Sequence, residues 1–217
     1  MRILLPPSEG KNSPKKLRNL DLKKLAYAND LRVLRQQNLD AHKEIDQKRS
    51  DFAFNIYSGV LYQALGYQSL SASAKKRADK SILIFSAAYG VVAISDPIAQ
   101  YKFKPNAKYW RKALASTLEE ISDELIVECR SSTYQTMWQP NPEQTVAIRV
   151  FTLVKGKKKV ITHMSKKTRG DVARFLISQR TPPKTPIELF KMLKKEFSCS
   201  LVSASSNESW YIDVIAK

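Results

Sequence analysis

Cysteine and histidine are scarce in this chain, with two of each among 217 residues. Cys129 and Cys199 cannot form the dense framework that staples small secreted domains. Nor do they combine with His42 and His163 at the spacing of a zinc site. Acidic residues are also few, 20 Asp and Glu against 37 Lys and Arg. No apolar run approaches the roughly 20 residues of a membrane-spanning helix. The apolar start at Ile3 to Leu5 ends at Pro6 and Pro7, which is not the pattern of a signal peptide. The G-x-S-x-G nucleophile elbow and the GxxxxGK[ST] phosphate loop are missing. There is no repeat, low-complexity tract or evident linker. These absences lead us to expect a single cytoplasmic domain over residues 1–217, with no membrane association, metal or cofactor.

What is present begins with a core and a charge. Hydrophobic residues make up 43% of the chain, enough for a domain of this length to bury an interior and to exclude wholesale disorder. The net charge is +17. A summed positive field attracts polyanions, and nucleic acid is the leading candidate partner. Lysines that merely solvate the surface produce the same sum.

Apolar patterning predicts alternating elements. Residues 2–5 read as a short buried strand, and 81–86, apolar on both faces, as an interior strand. Further strands are expected at 124–129, 145–154, 158–164 and 211–215, with Lys155-Gly156-Lys157 as a hairpin turn. Helices are expected at 57–65, 107–121, 165–179 and 187–196, with Ser165 as an N-cap. Residues 15–50 are helix-rich, with Leu17, Leu20, Leu25, Leu31, Leu34 and Leu39 spaced among charges. The expected fold class is α+β, a mixed β-sheet core with flanking helices and a helical lobe near the N-terminus.

Four polar clusters follow strands or open helices. Pro6-Pro7-Ser8-Glu9-Gly10-Lys11 leaves the first strand, where chains with helical crossovers often build a crevice. Lys11 suits a phosphate or a nucleophilic role, and Glu9 suits an acid–base role; a turn with a solvated lysine is the alternative. Ser86-Ala87-Ala88-Tyr89-Gly90 offers the Tyr89 hydroxyl as a donor, or else packs it as a turn. Arg130-Ser131-Ser132-Thr133-Tyr134 joins a guanidinium to hydroxyls that match a phosphate or carboxylate, with helix capping as the alternative for the serines. In His163-Met164-Ser165-Lys166-Lys167-Thr168-Arg169-Gly170, a cap at Ser165 would set Lys166 and Arg169 three apart at a helix N-terminus, an anion site. His163 alone reads more readily as a structural histidine.

The same clusters carry a family resemblance. Leu4-Leu5-Pro6-Pro7-Ser8-Glu9-Gly10-Lys11 resembles the opening signature of the YaaA peroxide-stress-resistance family. In the family's order follow Tyr57-Ser58-Gly59-Val60-Leu61-Tyr62-Gln63-Ala64-Leu65, then Ser86 to Gly90, Arg130 to Tyr134, and Lys166 to Gly170 with Arg174. The chain departs from the pattern at Ala93-Ile94-Ser95-Asp96, where the family has R-P-x-D, and at Gln100-Tyr101-Lys102, where it has P-Y-R. The resemblance implies a cytoplasmic protein that protects against hydrogen peroxide and limits free iron and the damage it drives. It also implies a positively charged cleft and a helix-hairpin-helix element that holds duplex DNA by its phosphates, without reading bases. On this footing Ser8, Arg130, Ser131, Lys166, Arg169 and Arg174 are expected to bind DNA, with Lys11, Glu9 and Tyr89 as catalytic candidates. The competing expectation is a nucleic-acid-processing enzyme of lyase or glycosylase type that uses the lysine-containing cleft. Direct iron binding fits poorly with motifs that are cationic rather than rich in carboxylate and imidazole.

Overall fold

The first strand is apolar on both faces because helices cover both faces of the sheet it belongs to. A computed structural model describes residues 1–15, 18–203 and 208–216. In chain order its strands are β1 Arg2–Leu5, β2 Ser50–Phe52, β3 Ile82–Ser86, β4 Gly90–Ala93, β5 Pro97–Ala99, β6 Ile126–Glu128, β7 Thr145–Val154, β8 Lys157–Lys159, β9 Cys199–Val202 and β10 Trp210–Ile215. Its helices are α1 Ala28–Ala41, α2 Ala53–Ile56, α3 Val60–Leu65, α4 Ala72–Ser81, α5 Ala107–Thr117, α6 Ser132–Gln135, α7 Thr162–Ser178 and α8 Pro186–Leu193. The fold is α+β with a mixed sheet, in the order β4-β3-β1-β6-β7-β10-β9, and β8 adds to β7. The five inner strands are parallel, while β4, β9 and β8 pair antiparallel. Strands β2 and β5 form a separate two-stranded ribbon.

Alternation along β1 divides the core. Ile3 and Leu5 join a large apolar cluster with Leu61, Val172 and Leu189, whereas Leu4 points into a second cluster with Trp110, Leu114 and Phe85. From β1 the chain crosses to β3 on one side and later returns to β6 on the other. The carboxyl ends of β1 and β6 therefore flank a topological switch point, where loops diverge and leave a crevice.

Helix α3 crosses α7 at very short range. A Cβ added at Gly170 would lie 2.2 Å from the Leu61 carbonyl oxygen and 2.8 Å from Ala64 Cβ. Only glycine fits there without parting the helices. Arg174, one turn on, donates from Nη1 to the carbonyls of Leu65 and Gly66, satisfying acceptors that the end of α3 leaves open. Gly66 itself has φ +54, the left-handed conformation that ends helices.

Three expectations are corrected. Helix α7 begins at Thr162, so Ser165 is not its cap; the Ser165 hydroxyl donates back to the Ile161 carbonyl from within the helix. The segment expected as strand to Met164 is strand only from Lys157 to Lys159. Within residues 15–50 the described residues form one 3-10 turn, Leu22–Lys24, and the single helix α1 before β2, rather than a helix-hairpin-helix pair. Glycine is missing between candidate helices there, and α1 instead spends its buried positions on the interior: Leu39 joins the large cluster, Leu31 the second, and Arg35 donates to the carbonyls of Ala26, Tyr89 and Val91. Leu17, part of that pattern, lies outside the described residues.

Gly170→Ala is expected to destabilise the protein by about 1–3 kcal/mol through overpacking, despite the roughly 1 kcal/mol that alanine gains in helix preference. Urea unfolding of the two proteins measures the difference.

Candidate functional site

The loop that leaves β1 is held rather than free. The Ser8 hydroxyl donates to the Gly10 carbonyl and accepts from the Ser58 backbone N–H at 3.1 Å. The Tyr62 hydroxyl donates to the Pro6 carbonyl at 2.7 Å. A Cβ at Gly59 would lie 2.9 Å from Ser8 Cβ, so glycine lets the start of α3 press against the loop. Lys11 forms a single antiparallel bridge with Tyr57, and its carbonyl accepts from Gln100 Nε2 at 2.8 Å. The segment 57–62 thus fixes residues 6–11 from one side and 100–101 from the other.

Lys11 is half-buried in this frame. Its Nζ donates to the Ser8 carbonyl at 2.8 Å and lies 4.3 Å from the centre of the Tyr101 ring and 5.9 Å from that of Tyr57. Burial lowers its pKa to about 8, against a smaller opposing pull from the Glu9 carboxylate. Ring faces stabilise a cation, yet the lost hydration dominates. Behind the rings runs a chain of hydroxyls: Tyr57 and Tyr101 are 3.1 Å apart, and Ser86 donates to Tyr101 at 2.9 Å. Burial raises the pKa of both tyrosines, so the chain stays neutral near physiological pH. Tyr134 follows β6; burial raises its pKa first, with the charges of Tyr101 and Glu9 adding to the effect.

Glu9 is 96% exposed, and its Oε1 lies 4.0 Å from Lys166 Nζ. Loop and α7 therefore meet at the mouth of the site. Arg169, one turn on, donates from Nε to the Ile148 carbonyl at 3.3 Å, and its charge reaches Cys129 at the end of β6. Burial nonetheless pushes the Cys129 thiol up to about 12, so it is not a nucleophile at neutral pH. Because α7 starts at Thr162, Lys166 and Arg169 lie beyond its first turn, and the helix dipole contributes little at that position. They remain two cations on one face.

The structure thus brings Ser8, Glu9, Lys11 and Lys166 together, with Arg169 adjacent. Ser131 is exposed where the chain leaves β6. Three other candidates face elsewhere. The Tyr89 hydroxyl is fully buried, donating to the Ala99 carbonyl and accepting from its N–H. Arg130 turns into the core: its Nε and Nη2 hold Glu128, its Nη1 and Nη2 hold the Tyr134 and Trp138 carbonyls, and its guanidinium stacks 4.0 Å from the Phe85 ring. All its donors point inward, which removes it as a phosphate ligand. Arg174 is committed to the end of α3. The Ser86 to Gly90 segment is likewise a packed turn, whose carbonyls at Ala87 and Tyr89 accept from Trp110 and Arg35.

A family model described as peroxide stress protein YaaA matches residues 1–200. The chain belongs to the YaaA peroxide stress protein family. A UPF0246 protein of Streptomyces coelicolor is 32% identical, over 99% of this chain and 98% of its own. A UPF0246 protein of Corynebacterium efficiens is 30% identical, over 81% and 84%. An uncharacterized protein of Campylobacter jejuni is 27% identical, over 78% and 82%. In this YaaA-family chain, motifs far apart in sequence meet around Lys11. Sequence reasoning missed the part played by Tyr57 and Tyr101, although both stand inside segments matched or compared with the family pattern. Their one sequence signal was a tyrosine two residues before Gly59 and another next to Lys102, which packing accounts for equally well.

Two measurements test this description. Arg130→Met is expected to cost about 3–5 kcal/mol of stability, as for a buried ion pair left with one charge, measured by chemical unfolding. Lys11 is expected to acylate half-maximally near pH 8, from its pKa of about 8, whereas exposed lysines require roughly pH 10.4. Since Glu9 raises the pKa of Lys11, Glu9→Gln moves the profile to lower pH. Peptide mapping by mass spectrometry after brief acetic anhydride treatment reads both effects.

Proposed function

We propose that this YaaA-family chain is a cytoplasmic peroxide-stress protein that binds duplex DNA without base preference and so limits iron-driven oxidative damage. The observation that carries the reading is a lysine-rich ribbon that extends beyond the carboxyl end of the parallel strands. Val146 is level with Val127, which is level with Ile3. At about 3.3 Å per residue, β7 therefore runs roughly 20 Å past the end of β1. Its outer part pairs with β8 as a ribbon. Lys155, Lys157 and Lys159 are exposed on that ribbon and have no salt bridge among the described residues. The turn at Lys155 and Gly156 has positive φ at both residues, as tight hairpins require. Nothing lies within 4 Å of the position a Gly156 side chain would take, so the tip stands clear of the domain.

The acids in this region are few and engaged. Asp213 holds Lys158 and Arg149, Asp171 holds Lys167, and Glu9 approaches Lys166. The uncompensated lysines together with Arg169 and the exposed Ser131 suit phosphates, which position a duplex without reading sequence. A second reading has its own observation. A half-buried lysine with a lowered pKa is more than a phosphate clamp needs, and it supports a nucleic-acid-processing enzyme of lyase or glycosylase type.

Affinity for a labelled duplex is expected to fall with salt, with a log–log slope of roughly −0.9 per phosphate contacted. Replacing Lys155, Lys157 and Lys159 together by alanine is expected to flatten that slope by about 2–3, and Lys166→Ala with Arg169→Ala by about 1–2. Fluorescence anisotropy measures both. Absence of binding at low ionic strength, or binding indifferent to salt, overturns the reading. In cells lacking the protein, the wild type is expected to restore survival of hydrogen peroxide and the ribbon variant to do so less well.

A further inference from the structure

Lys11 has the surroundings of an amine that reacts with carbonyls. Its Nζ is held by one hydrogen bond, to the Ser8 carbonyl, and the rest of the ammonium faces the Tyr101 ring rather than a carboxylate. No acidic side chain of the described residues forms a salt bridge with it; Glu9 pairs instead with Lys166 at the mouth. A lysine that serves only to neutralise a phosphate is normally exposed and mobile, whereas the Ser8–Gly59 contact and the bridge to Tyr57 fix the backbone that carries this one. The hydroxyls of Tyr101, Tyr57 and Ser86 form a neutral chain behind the ring, able to pass a proton.

The surroundings also restrict the carbonyl. Lys166, which approaches Glu9, and Arg169 a turn on favour a group carried on a phosphodiester strand, and the lysine ribbon at the same end of the sheet adds further cations. An intact strand offers no free aldehyde, because its base carbonyls are amide-like and its sugars are closed glycosides. Loss of a base frees C1 of the deoxyribose, which then opens to an aldehyde.

We propose that Lys11 forms an imine with the open-chain aldehyde of an abasic deoxyribose in duplex DNA and cleaves the strand on the 3′ side of that sugar. The proposal rests on the nucleic-acid-enzyme reading above and names its substrate. The unprotonated Nζ attacks C1, the C=O bond becomes a carbinolamine, and water leaves to give the iminium. The iminium makes the C2 proton acidic. The Glu9 carboxylate, exposed beside the loop, accepts it, the C2–C3 double bond forms, and the 3′ phosphate departs with the C3–O electron pair. Water then hydrolyses the imine, restoring the amine and releasing the unsaturated aldehyde on the 5′ fragment. No oxidant, reductant or metal is consumed. The lowered pKa of Lys11 supports the step, because a larger fraction of the amine is free near neutral pH.

The test incubates the full-length protein with a duplex carrying one abasic site, in the presence of sodium cyanoborohydride. The expected result is a covalent protein–DNA species that maps to the Lys11 peptide and is absent with intact duplex. Without the reductant, the abasic strand is nicked. Lys11→Arg, which keeps the charge but not the nucleophile, abolishes both. Wild-type mapping keeps the test valid if a variant folds poorly. Adducts spread over other lysines, or formed equally with free 2-deoxyribose 5-phosphate, overturn the assignment. If no adduct forms but the protein releases base from a duplex carrying oxidised bases, the imine proposal fails and the broader enzyme reading stands. If neither occurs while intact duplex is still bound, both fail and the phosphate-binding reading remains.

Discussion

The close crossing of α3 and α7 at Gly170 is the contact on which the site depends. With the Leu61 carbonyl 2.2 Å from where a side chain would begin, the two helix backbones touch. That contact fixes α3, and the other end of α3 begins at Gly59, pressed against Ser8. The position of the Ser8 to Lys11 loop is therefore set by a glycine about 160 residues away in the chain. Arg174 secures the arrangement from the same face of α7 by donating to the carbonyls that end α3. One turn in the other direction, Lys166 arrives over Glu9. Helix α7 thus acts as a ruler, with a cation for the site, a glycine for the crossing and an arginine for the cap at successive turns.

The sheet supplies the second half of the placement. Parallel strands with crossovers on both faces bury their apolar side chains and leave only their carboxyl ends for chemistry. At that end the cations divide into two kinds. Arg130 is wholly inside, its charge met by Glu128 and its remaining donors by backbone carbonyls. Lys155, Lys157 and Lys159 are wholly outside on a ribbon in water. Lys11 is between these extremes, desolvated enough to lose hydration yet without a full counter-ion. Burial without pairing is costly for stability, and sites that tolerate such a group commonly use it.

Much of the architecture is legible in local sequence. The buried strand at residues 2–5, the interior strand at 81–86, the hairpin turn at Gly156 and the α+β class all follow from local patterning, because apolar alternation and turn chemistry are properties of neighbouring residues. The expected cap at Ser165 lies inside α7, because a serine within a helix can bond to the carbonyl four residues back, and Ser165 does so with Ile161. In place of the expected helix-hairpin-helix, the described residues of 15–50 hold a 3-10 turn and one helix, whose Leu39 and Leu31 pack into the two core clusters while Arg35 holds backbone carbonyls.

Composition and spacing alone make this protein strongly cationic, place its polar clusters after strands or at helix starts, and group Ser8, Glu9 and Lys11 with Tyr89, Arg130, Lys166 and Arg169. Charge and strand ends are local facts, written in composition and spacing. Which polar groups stay available depends on the packing of distant segments. Tyr89, Arg130 and Arg174 look no different in the sequence from Lys11 or Lys166, yet their hydrogen bonds are spent on Ala99, on Glu128 with nearby carbonyls, and on the end of α3. Tyr57 and Tyr101, unremarked as part of the site, became its walls. Burial and hydrogen-bond satisfaction depend on what the rest of the chain brings alongside a residue, and no local pattern carries that information.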